Sequence, residues 1–262
     1  MRHITRICRD KSLIAAGVFL AALIVALLFV STDAGERRGH AEGEKKKEHV
    51  APRVIDPGGL AKAPSDAIVL FDGTDLSEWR GRDGEPRWTV EDGVLTVNRR
   101  AGDLTTKRSF GDIQFHIEWR IPANASGRGE GRGNSGIKFH EAYEIQIIDS
   151  YRNKSRPTGQ AGAVYAQTPP LVNASRKPGE WQSYDIIFRS PYFDADGKLL
   201  RHGTFTVFHN GVLVQDRTRI LGRTNSPRRV KPDYEQPLFL QEHGSPVSFR
   251  NIWVRELERE KL

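Results

Sequence analysis

The chain has 262 residues, 37% of them hydrophobic, which allows one large domain or two small ones with a packed core. Its formal net charge is +7. Much of the positive excess lies in separate tracts, and these form no single basic stripe interleaved with stacking aromatic residues. The tracts are residues 1–11, residues 45–47, Arg228 with Arg229, and Lys231. We therefore expect no nucleic-acid partner.

The N-terminus carries an export signal. Basic residues such as Arg6 and Arg9 precede a nearly unbroken apolar run over residues 13–30. This run exceeds the roughly 7–15 residues of a cleavable signal core and reaches the about 17–25 residues of a membrane-spanning helix. Small residues at Thr32 and Ala34 keep cleavage open, so residues 1–30 are predicted to be a signal peptide or a transmembrane anchor. Because basic flanks stay in the cytoplasm, we expect a single-pass membrane protein with a periplasmic or extracellular domain, or a protein secreted to the periplasm.

Residues 31–65 are typical of a disordered linker. The segment has few large apolar side chains and many Gly, Pro and charged residues, so it cannot bury enough surface to fold alone. As a flexible coil it would span on the order of 30–35 Å. The only cysteine, Cys8, precedes the apolar run, so the exported part must be stable without disulfides.

Residues 66–258 are predicted to form one all-β domain, an antiparallel sandwich or barrel. Apolar and polar residues alternate over residues 113–121, as expected for a half-buried strand. Residues 88–98 and 204–215 read as hairpins, which turn at Glu91-Asp92-Gly93 and at Asn210-Gly211. Further strands are predicted over residues 68–71, 134–139, 143–148, 163–165, 182–188, 237–241 and 247–257. No strong helical pattern follows residue 66, and many short strands with little helix favour a single sandwich.

The segment YEIQIIDS is the first candidate for a functional site. On a regular strand, Glu144 and Gln146 project from one face, and a bulge after Ile147 would bring Asp149 round to join them. Three polar groups would then share one concave surface. The alternative is the ordinary solvent-facing side of a strand, since alternation places polar residues on any exposed face.

Two other segments supply polar candidates. Asn134 begins a predicted strand, and its amide can both donate to and accept from sugar hydroxyls. Gln241 and His243 close one predicted strand, while Arg250 and Asn251 lie on the next, so a hairpin would bring the four together. His243 has a side chain suited to proton transfer near neutral pH, although a lone histidine is more often structural.

Seven motifs carry a resemblance to a known family. In chain order they are FDGTDLSEWR, WTVEDGVLTV, GNSGIKFHEAYEIQIIDS, TGQAGAVYAQTPP, KPGEWQSYDIIF, HNGVLV and LQEHGSPVSFRNI. From about residue 67 to 257 the chain resembles the bacterial 3-keto-disaccharide hydrolase domain family. The resemblance implies a concanavalin A-like jelly-roll sandwich with the site on its concave face, and an exported enzyme that cleaves 3-keto-glycosides.

The resemblance also implies which residues carry the chemistry. YEIQIID is similar to the Glu-x-Asp-x-x-Glu strand of laminarinase-like glycosidases, with Gln146 in place of the central carboxylate and Asp149 as a shortened outer one. An ordinary retaining glycosidase needs two carboxylates about 5–5.5 Å apart, and this sequence makes such a pair doubtful.

A ketone at C3 of the sugar offers an easier route. It acidifies the C2 proton, so that one base can form an enolate that expels the C1 substituent, after which water adds. The expected base is Glu144 or His243, with Asp149 the third catalytic candidate. Asn134, Gln146 and Gln241 are expected to orient hydroxyls or the enolate oxygen, and Tyr165 to pack against the sugar ring.

Alternatives remain open at this point. No cofactor is required by the enolate route, but Glu144 and His243 could instead hold a divalent cation that polarises the ketone. The domain could also be a non-catalytic, lectin-like carbohydrate-binding module or a structural ectodomain, because one fold serves many functions. An enzyme predicts that Glu144 and His243 converge in one pocket, whereas a lectin predicts exposed aromatic residues in a groove.

Overall fold

A computed structural model describes residues 51–59, 62–225 and 230–262. In these ranges the chain forms fifteen β-strands and, as its only helix, two three-residue 3-10 turns at Gly129–Gly131 and Pro157–Gly159. In chain order the strands are β1 (Ile68–Phe71), β2 (Trp79–Arg80), β3 (Thr89–Glu91), β4 (Val94–Thr96), β5 (Leu104–Phe110), β6 (Ile113–Arg120), β7 (Ser135–Phe139), β8 (Tyr143–Ile147), β9 (Gln182–Arg189), β10 (Tyr192–Phe193), β11 (Leu199–Arg201), β12 (Thr204–His209), β13 (Val212–Arg219), β14 (Gln236–Leu240) and β15 (Ser248–Glu256).

The strands form two main sheets. An eight-stranded sheet has the order β13-β12-β9-β6-β15-β4-β3, and β1 also pairs with β15. A five-stranded sheet has the order β2-β5-β14-β7-β8, while β10 and β11 form a separate ribbon. Every strand pairing is antiparallel. The predicted all-β antiparallel sandwich is thus confirmed, and its concanavalin A-like jelly-roll class stays a prediction.

An aromatic cluster joins the two sheets. Phe139 on β7 of the five-stranded sheet is fully buried. Its ring centroid lies 5.8 Å from that of Phe115 on β6, and 5.0 Å from those of Phe188 on β9 and Phe205 on β12. Such ring pairs contribute about 0.5–1.5 kcal/mol each beyond the area they bury. The inward residues of both sheets therefore form the core, and each sheet keeps one outer face for polar side chains.

Most predicted strands are confirmed within a residue or two, including the half-buried strand β6 and both hairpins. A strand over residues 163–165 is wrong, because Val164 makes only isolated bridges to Ile145 and Thr168. Four strands were not predicted, β2, β5, β10 and β11. The longest of them is β5. Its middle residues are charged and exposed, so its sequence lacks a regular alternation.

The expected hairpin between residues 237–241 and 247–257 is also wrong. Strand β14 lies in the five-stranded sheet and β15 in the eight-stranded sheet, so the connection crosses from one sheet to the other. Gln241 and the pair Arg250 and Asn251 consequently belong to different sheets. Sequence alone cannot distinguish a connection between two sheets from a hairpin within one sheet, because both join two strands by a short polar turn.

Residues 1–50 lie outside the described residues, and with them the predicted anchor or signal over residues 13–30 and most of the predicted linker. The export signal, the location and the domain limits 66–258 therefore stay predictions. Across residues 51–59, 62–225 and 230–262, no helix has the length and apolarity needed to span a bilayer.

Candidate active site

A row of side chains crosses the outer face of the five-stranded sheet. Arg80 on β2 pairs with Thr105 on β5, which pairs with Phe239 on β14. Phe239 pairs in turn with Lys138 on β7, and Lys138 with Glu144 on β8. Directly opposed residues of antiparallel strands project to the same side, so these five side chains share one surface, which we call the Glu144 face.

Glu144 occupies a space that a glycine provides. Gly136 lies two residues before Lys138 on β7, so it is on the same face of the sheet, and it is paired with Gln146 on β8. A Cβ atom at residue 136 would lie 2.5 Å from Oε1 of Glu144, closer than any real side chain could approach. The carboxyl group of Glu144 therefore lies over the bare Cα of Gly136, held against the sheet.

The backbone around Glu144 is fixed from two sides. Its amide N donates to Oγ1 of Thr224 at 2.7 Å, and that hydroxyl donates to the carbonyl of Ala142 at 3.0 Å. Its carbonyl accepts from the amide of Tyr165 at 3.0 Å. Catalytic groups on rigid, bonded elements keep their geometry better than groups on free loops.

The surroundings of Glu144 disfavour its negative charge. The residue is 5% exposed, and burial raises the pKa of its carboxyl group to about 7. The carboxylates of Asp103 and Glu130 push the pKa in the same direction, while Lys138 opposes them. A carboxyl group with a pKa near 7 is suited to exchange a proton at neutral pH.

Three predicted polar residues lie on the same face around Gly136. Gln146 is directly opposite Gly136, and the amide N of Gln241 donates to the Gly136 carbonyl at 2.9 Å. Asn134 precedes Gly136 by two residues on the same strand side and is 7% exposed. Gln146 is 1% exposed, and among the described residues its Oε1 has no hydrogen-bond partner. A buried acceptor without a donor costs roughly 1–3 kcal/mol, which a bound hydroxyl group would recover.

Tyr165 belongs to a neighbouring cluster. Its hydroxyl donates to Oε2 of Glu130 at 2.9 Å, and Arg156 contacts the other oxygen of the same carboxylate. The Arg156 guanidinium lies 4.8 Å from the centroid of the Tyr165 ring. Burial and the Glu130 carboxylate raise the pKa of Tyr165. One face of the ring is covered by Arg156, so a sugar ring would have to pack on the other.

Asp149 is held by an ion pair. Its Oδ2 lies 2.6 Å from Nε of Arg132, and its Oδ1 accepts from the amide of Tyr151 at 2.9 Å. Asp149 is 2% exposed, and none of its described contacts reaches Glu144 or Gln146. The expected bulge that joins Asp149 to the polar pair is not seen in these contacts, and its catalytic role stays a prediction.

His243 is exposed in the connection from β14 to β15. Neither a hydrogen bond nor an ion pair joins it to Glu144, and the expected convergence of the two in one pocket stays a prediction. The neighbouring Glu242 ties this connection to the Glu144 face, because its amide donates to Oδ1 of Asp103 at 2.9 Å.

A cavity of about 420 Å³ opens on the Glu144 face, beside the row. Its lining includes the side chains of Arg80, Arg82, Asp103, Thr105, Glu141 and Phe239. Among the described residues no three His, Cys, Asp or Glu side chains are grouped to hold a metal ion. Glu144 and His243 thus lack a third ligand of these types there, and the divalent cation remains an untested alternative.

Three residues near Glu144 were missed by sequence reasoning, namely Lys138, Asp103 and Glu130, and so was Arg156 beside Tyr165. Lys138 could have been found, because it follows Gly136 by two residues on the predicted strand and so shares its face. Glu130 and Arg156 lie in or beside short loop turns, where no periodic pattern indicates which side chains meet.

Comparison with known proteins identifies the family. A family model described as "3-keto-alpha-glucoside-1,2-lyase-like domain" matches residues 66–255. The chain belongs to this family. A relative from Bacteroides thetaiotaomicron, named 3-keto-disaccharide hydrolase, is 23% identical over an alignment of 295 residues that covers 91% of this chain and 98% of the relative. The 3-keto-alpha-glucoside-1,2-lyase-like family is one of carbohydrate-active enzymes, and the resemblance stated from the sequence is confirmed.

Solved structures agree with the fold of this 3-keto-alpha-glucoside-1,2-lyase-like domain. A Parabacteroides distasonis protein, provisionally described as a glycosyl hydrolase, is 48% identical with a TM-score of 0.77, and the match covers 81% of this chain and 95% of that one. A second protein from the same organism is 23% identical with a TM-score of 0.55, covering 74% of this chain and 94% of that one, which shows a shared fold.

Proposed function

We propose that the domain cleaves the glycosidic bond of 3-keto-glucosides and that Glu144 is the base. The observation that carries the proposal is the buried carboxyl group of Glu144, whose pKa is raised to about 7, on a face that also carries the predicted amide side chains. The family description and the name of the Bacteroides thetaiotaomicron relative supply the substrate class.

In the proposed reaction Glu144 takes the proton from C2 of the sugar. The electron pair of the broken C–H bond forms the enolate of the C3 ketone. When the enolate collapses, the C3 ketone re-forms, a double bond forms between C1 and C2, and the bond from C1 to the glycosidic oxygen breaks. The leaving oxygen takes the proton that Glu144 removed from C2. Addition of water across the new double bond completes a net hydrolysis. Buried groups that stabilise the developing charge supply much of the rate in such reactions.

The remaining residues of the face have supporting roles in this proposal. Lys138 lies directly opposite Glu144 and is a cation near the site of the enolate. Asn134, Gln146 and Gln241 offer amide groups that hold ring hydroxyls, and the unpartnered Oε1 of Gln146 accepts one of them. His243 and Asp149, the other catalytic candidates, are not needed for the first proton transfer.

The test uses the full chain, 4-nitrophenyl 3-keto-α-glucoside and its unoxidised parent. We expect nitrophenol release from the keto compound alone, and a fall in kcat/KM of about 10²–10⁴-fold in Glu144→Gln. Glu91→Gln, an exposed change on β3, is the matched control and should keep full activity. Release from both compounds, or an active Glu144→Gln, would overturn the proposal. Binding without release would favour the lectin-like module.

A further inference from the structure

The outer face of the eight-stranded sheet carries a second polar cluster, on the other side of the sandwich from the Glu144 face. Strand β6 pairs with β9 so that His116 is opposite Asp185 and Glu118 is opposite Ser183. On its other edge β6 pairs with β15, where Arg250 is opposite Glu118 and Trp253 is opposite His116. Two adjacent polar rows therefore cross three strands.

A β-bulge in β15 adds one more polar side chain to these rows. Between the pairs Arg250–Glu118 and Trp253–His116, β15 has one residue more than β6. The extra residue allows Ile252 to be fully buried while Asn251 turns to the outer face, with a φ of 48°. Asparagine tolerates this left-handed conformation better than most residues, and bulges often re-aim a side chain at a site.

The bulge places Asn251 between the two rows. Its Nδ2 donates to Oε1 of Glu118 at 3.1 Å and lies 3.3 Å from Nε2 of His116. Nδ1 of His116 lies 2.6 Å from Oδ1 of Asp185, so this nitrogen carries the proton and Nε2 accepts from Asn251. Nε of Arg250 donates to Oε2 of Glu118 at 2.7 Å. The whole set is held in place before any ligand arrives.

Each group nevertheless keeps bonding capacity. Within residues 51–59, 62–225 and 230–262, Oδ2 of Asp185, Oδ1 of Asn251 and both Nη atoms of Arg250 have no hydrogen-bond partner. The free oxygens of Asp185 and Asn251 are thus acceptors, and the free Nη atoms of Arg250 are donors, within one cluster. Aromatic rings pack beside them and hold the cluster in place. His116 stacks on the buried Trp253 at 5.0 Å, and the Trp181 ring is contacted by Arg250 at 4.2 Å and by Arg120 at 4.6 Å.

The cluster lies where two cavities meet. Cavities of about 520 Å³ and 530 Å³ both include Glu118, Arg250 and Asn251 in their walls, together with Lys62 and Pro64. Each volume is in the usual range of ligand sites, roughly 300–1,000 Å³. A ligand longer than one ring could therefore contact Asn251 at its centre and extend to either side.

We propose that this His116 groove, formed by His116, Glu118, Asp185, Arg250 and Asn251, is a second carbohydrate-binding site that takes an uncharged oligosaccharide. Neighbouring sugar hydroxyls both donate and accept, which matches the free oxygens of Asp185 and Asn251 beside the Arg250 fork. The carboxylates of Asp185 and Glu118 largely offset the cations of the same walls, Lys62, Arg176 and Arg250, so the groove has little net charge to attract a polyanion. The groove faces away from Glu144, so its ligand binding is separate from the proposed reaction.

The test is calorimetric titration of the full chain with maltopentaose, cellopentaose and pentagalacturonate. We expect at least one of the two neutral pentasaccharides to bind, and the charged one to bind more weakly or not at all. Asn251→Gly keeps the φ that the bulge requires and deletes only the amide, and Asp185→Ala removes a partly exposed carboxylate. Each should weaken binding at least tenfold while cleavage of the 3-keto-glucoside stays unchanged.

The controls separate this site from the Glu144 face. Asn225→Gly is a matched change at another asparagine with positive φ, 53°, and should bind as the unmodified protein does. Glu144→Gln should lose cleavage and keep pentasaccharide binding. Absence of binding by both neutral probes, preference for pentagalacturonate, or binding that responds to Glu144→Gln and not to Asn251→Gly would each overturn the proposal.

Discussion

At the scale of single residues, the position of Glu144 in the sheet determines its chemistry. Burial against the bare Cα of Gly136 raises its pKa, and the charge of Lys138 on the next strand limits the rise. The same residues therefore control whether the group is a base at neutral pH. The effect of Gly136 is steric and that of Lys138 is electrostatic, so the two effects can be measured separately.

We expect kcat/KM for the 3-keto-glucoside to rise with pH through a limb near pH 7, since only the ionised carboxylate accepts a proton. In Lys138→Met the limb should move to higher pH, because the cation that lowers the Glu144 pKa is gone. Lys107→Met, an exposed change on β5, should leave the limb in place. A limb that is unchanged in Lys138→Met would contradict the assignment of Glu144 as the titrating base.

Sequence reasoning predicted part of this site for a clear reason. Glu144 and Gln146 lie on one face because strand alternation is encoded locally, whereas Asn134 and Gln241 were joined to them only through the family resemblance. The ion pair of Asp149 with Arg132 and the contact of Tyr165 with Glu130 join loops that the sheet brings together. No local pattern specifies such partners, so these contacts could not be predicted.

At the scale of elements, the loop around residues 129–132 is fastened to the end of β8 by a buried ion pair. The Arg132 guanidinium contacts Asp149 at 2.6 Å and also donates to the carbonyl of Tyr151 at 2.7 Å. The amide of Asp149 donates in turn to the carbonyl of Arg132 at 3.1 Å. Glu130 belongs to this loop, so the pair also positions the cluster around Tyr165.

Arg132→Met should lower the free energy of unfolding by about 3–5 kcal/mol, because it leaves the 2% exposed Asp149 as an uncompensated charge. Urea unfolding followed by tryptophan fluorescence measures the loss. Arg108→Met breaks the exposed pair with Glu78, which is 3.5 Å long, and should cost under about 1 kcal/mol. Equal losses in the two variants would show that burial of Asp149 does not determine the strength of the pair.

The strands were mostly predictable, and their pairing across sheets was not. Asn210-Gly211 and Asp92-Gly93 specify their own hairpins, because the turn residues adopt positive φ angles at little cost. The connection from β14 to β15 carries similar turn residues but crosses between sheets. Which sheet accepts β15 depends on packing against β6 and β1, which lie far away in sequence.

At the scale of the whole molecule, three buried titratable groups act on stability in opposite directions. Burial lowers the pKa of His140 to about 4 and that of His209 to about 3. Below pH 6.5, where both histidines become protonated in the unfolded chain, they therefore stay neutral in the folded state. Glu144 has the opposite effect, since the pKa of its carboxyl group is about 7 in the folded state and 4.5 in the unfolded chain. As the pH falls from 6.5 to 4.5, the histidines destabilise the fold and Glu144 stabilises it.

The net effect is testable by urea unfolding at several pH values. Between roughly pH 6 and pH 5, the two histidines bind protons only in the unfolded chain, and Glu144 binds a proton only in the folded chain. The unfolded chain therefore binds one proton more in total, and the free energy of unfolding should fall by about 1.4 kcal/mol for each pH unit of acidification. In Glu144→Gln the opposing proton is absent, and the slope should double to about 2.8 kcal/mol per pH unit. An unchanged slope in this variant would show that Glu144 is already ionised in this range.

Strand β15 has a consequence for how the protein is made. It lies inside the eight-stranded sheet, with β6 along one edge and β4 and β1 along the other. During synthesis β6 and β1 leave the ribosome long before their shared partner exists, so the nascent chain carries open strand edges until β15 emerges. The eight-stranded sheet therefore cannot be complete before β15 has left the ribosome.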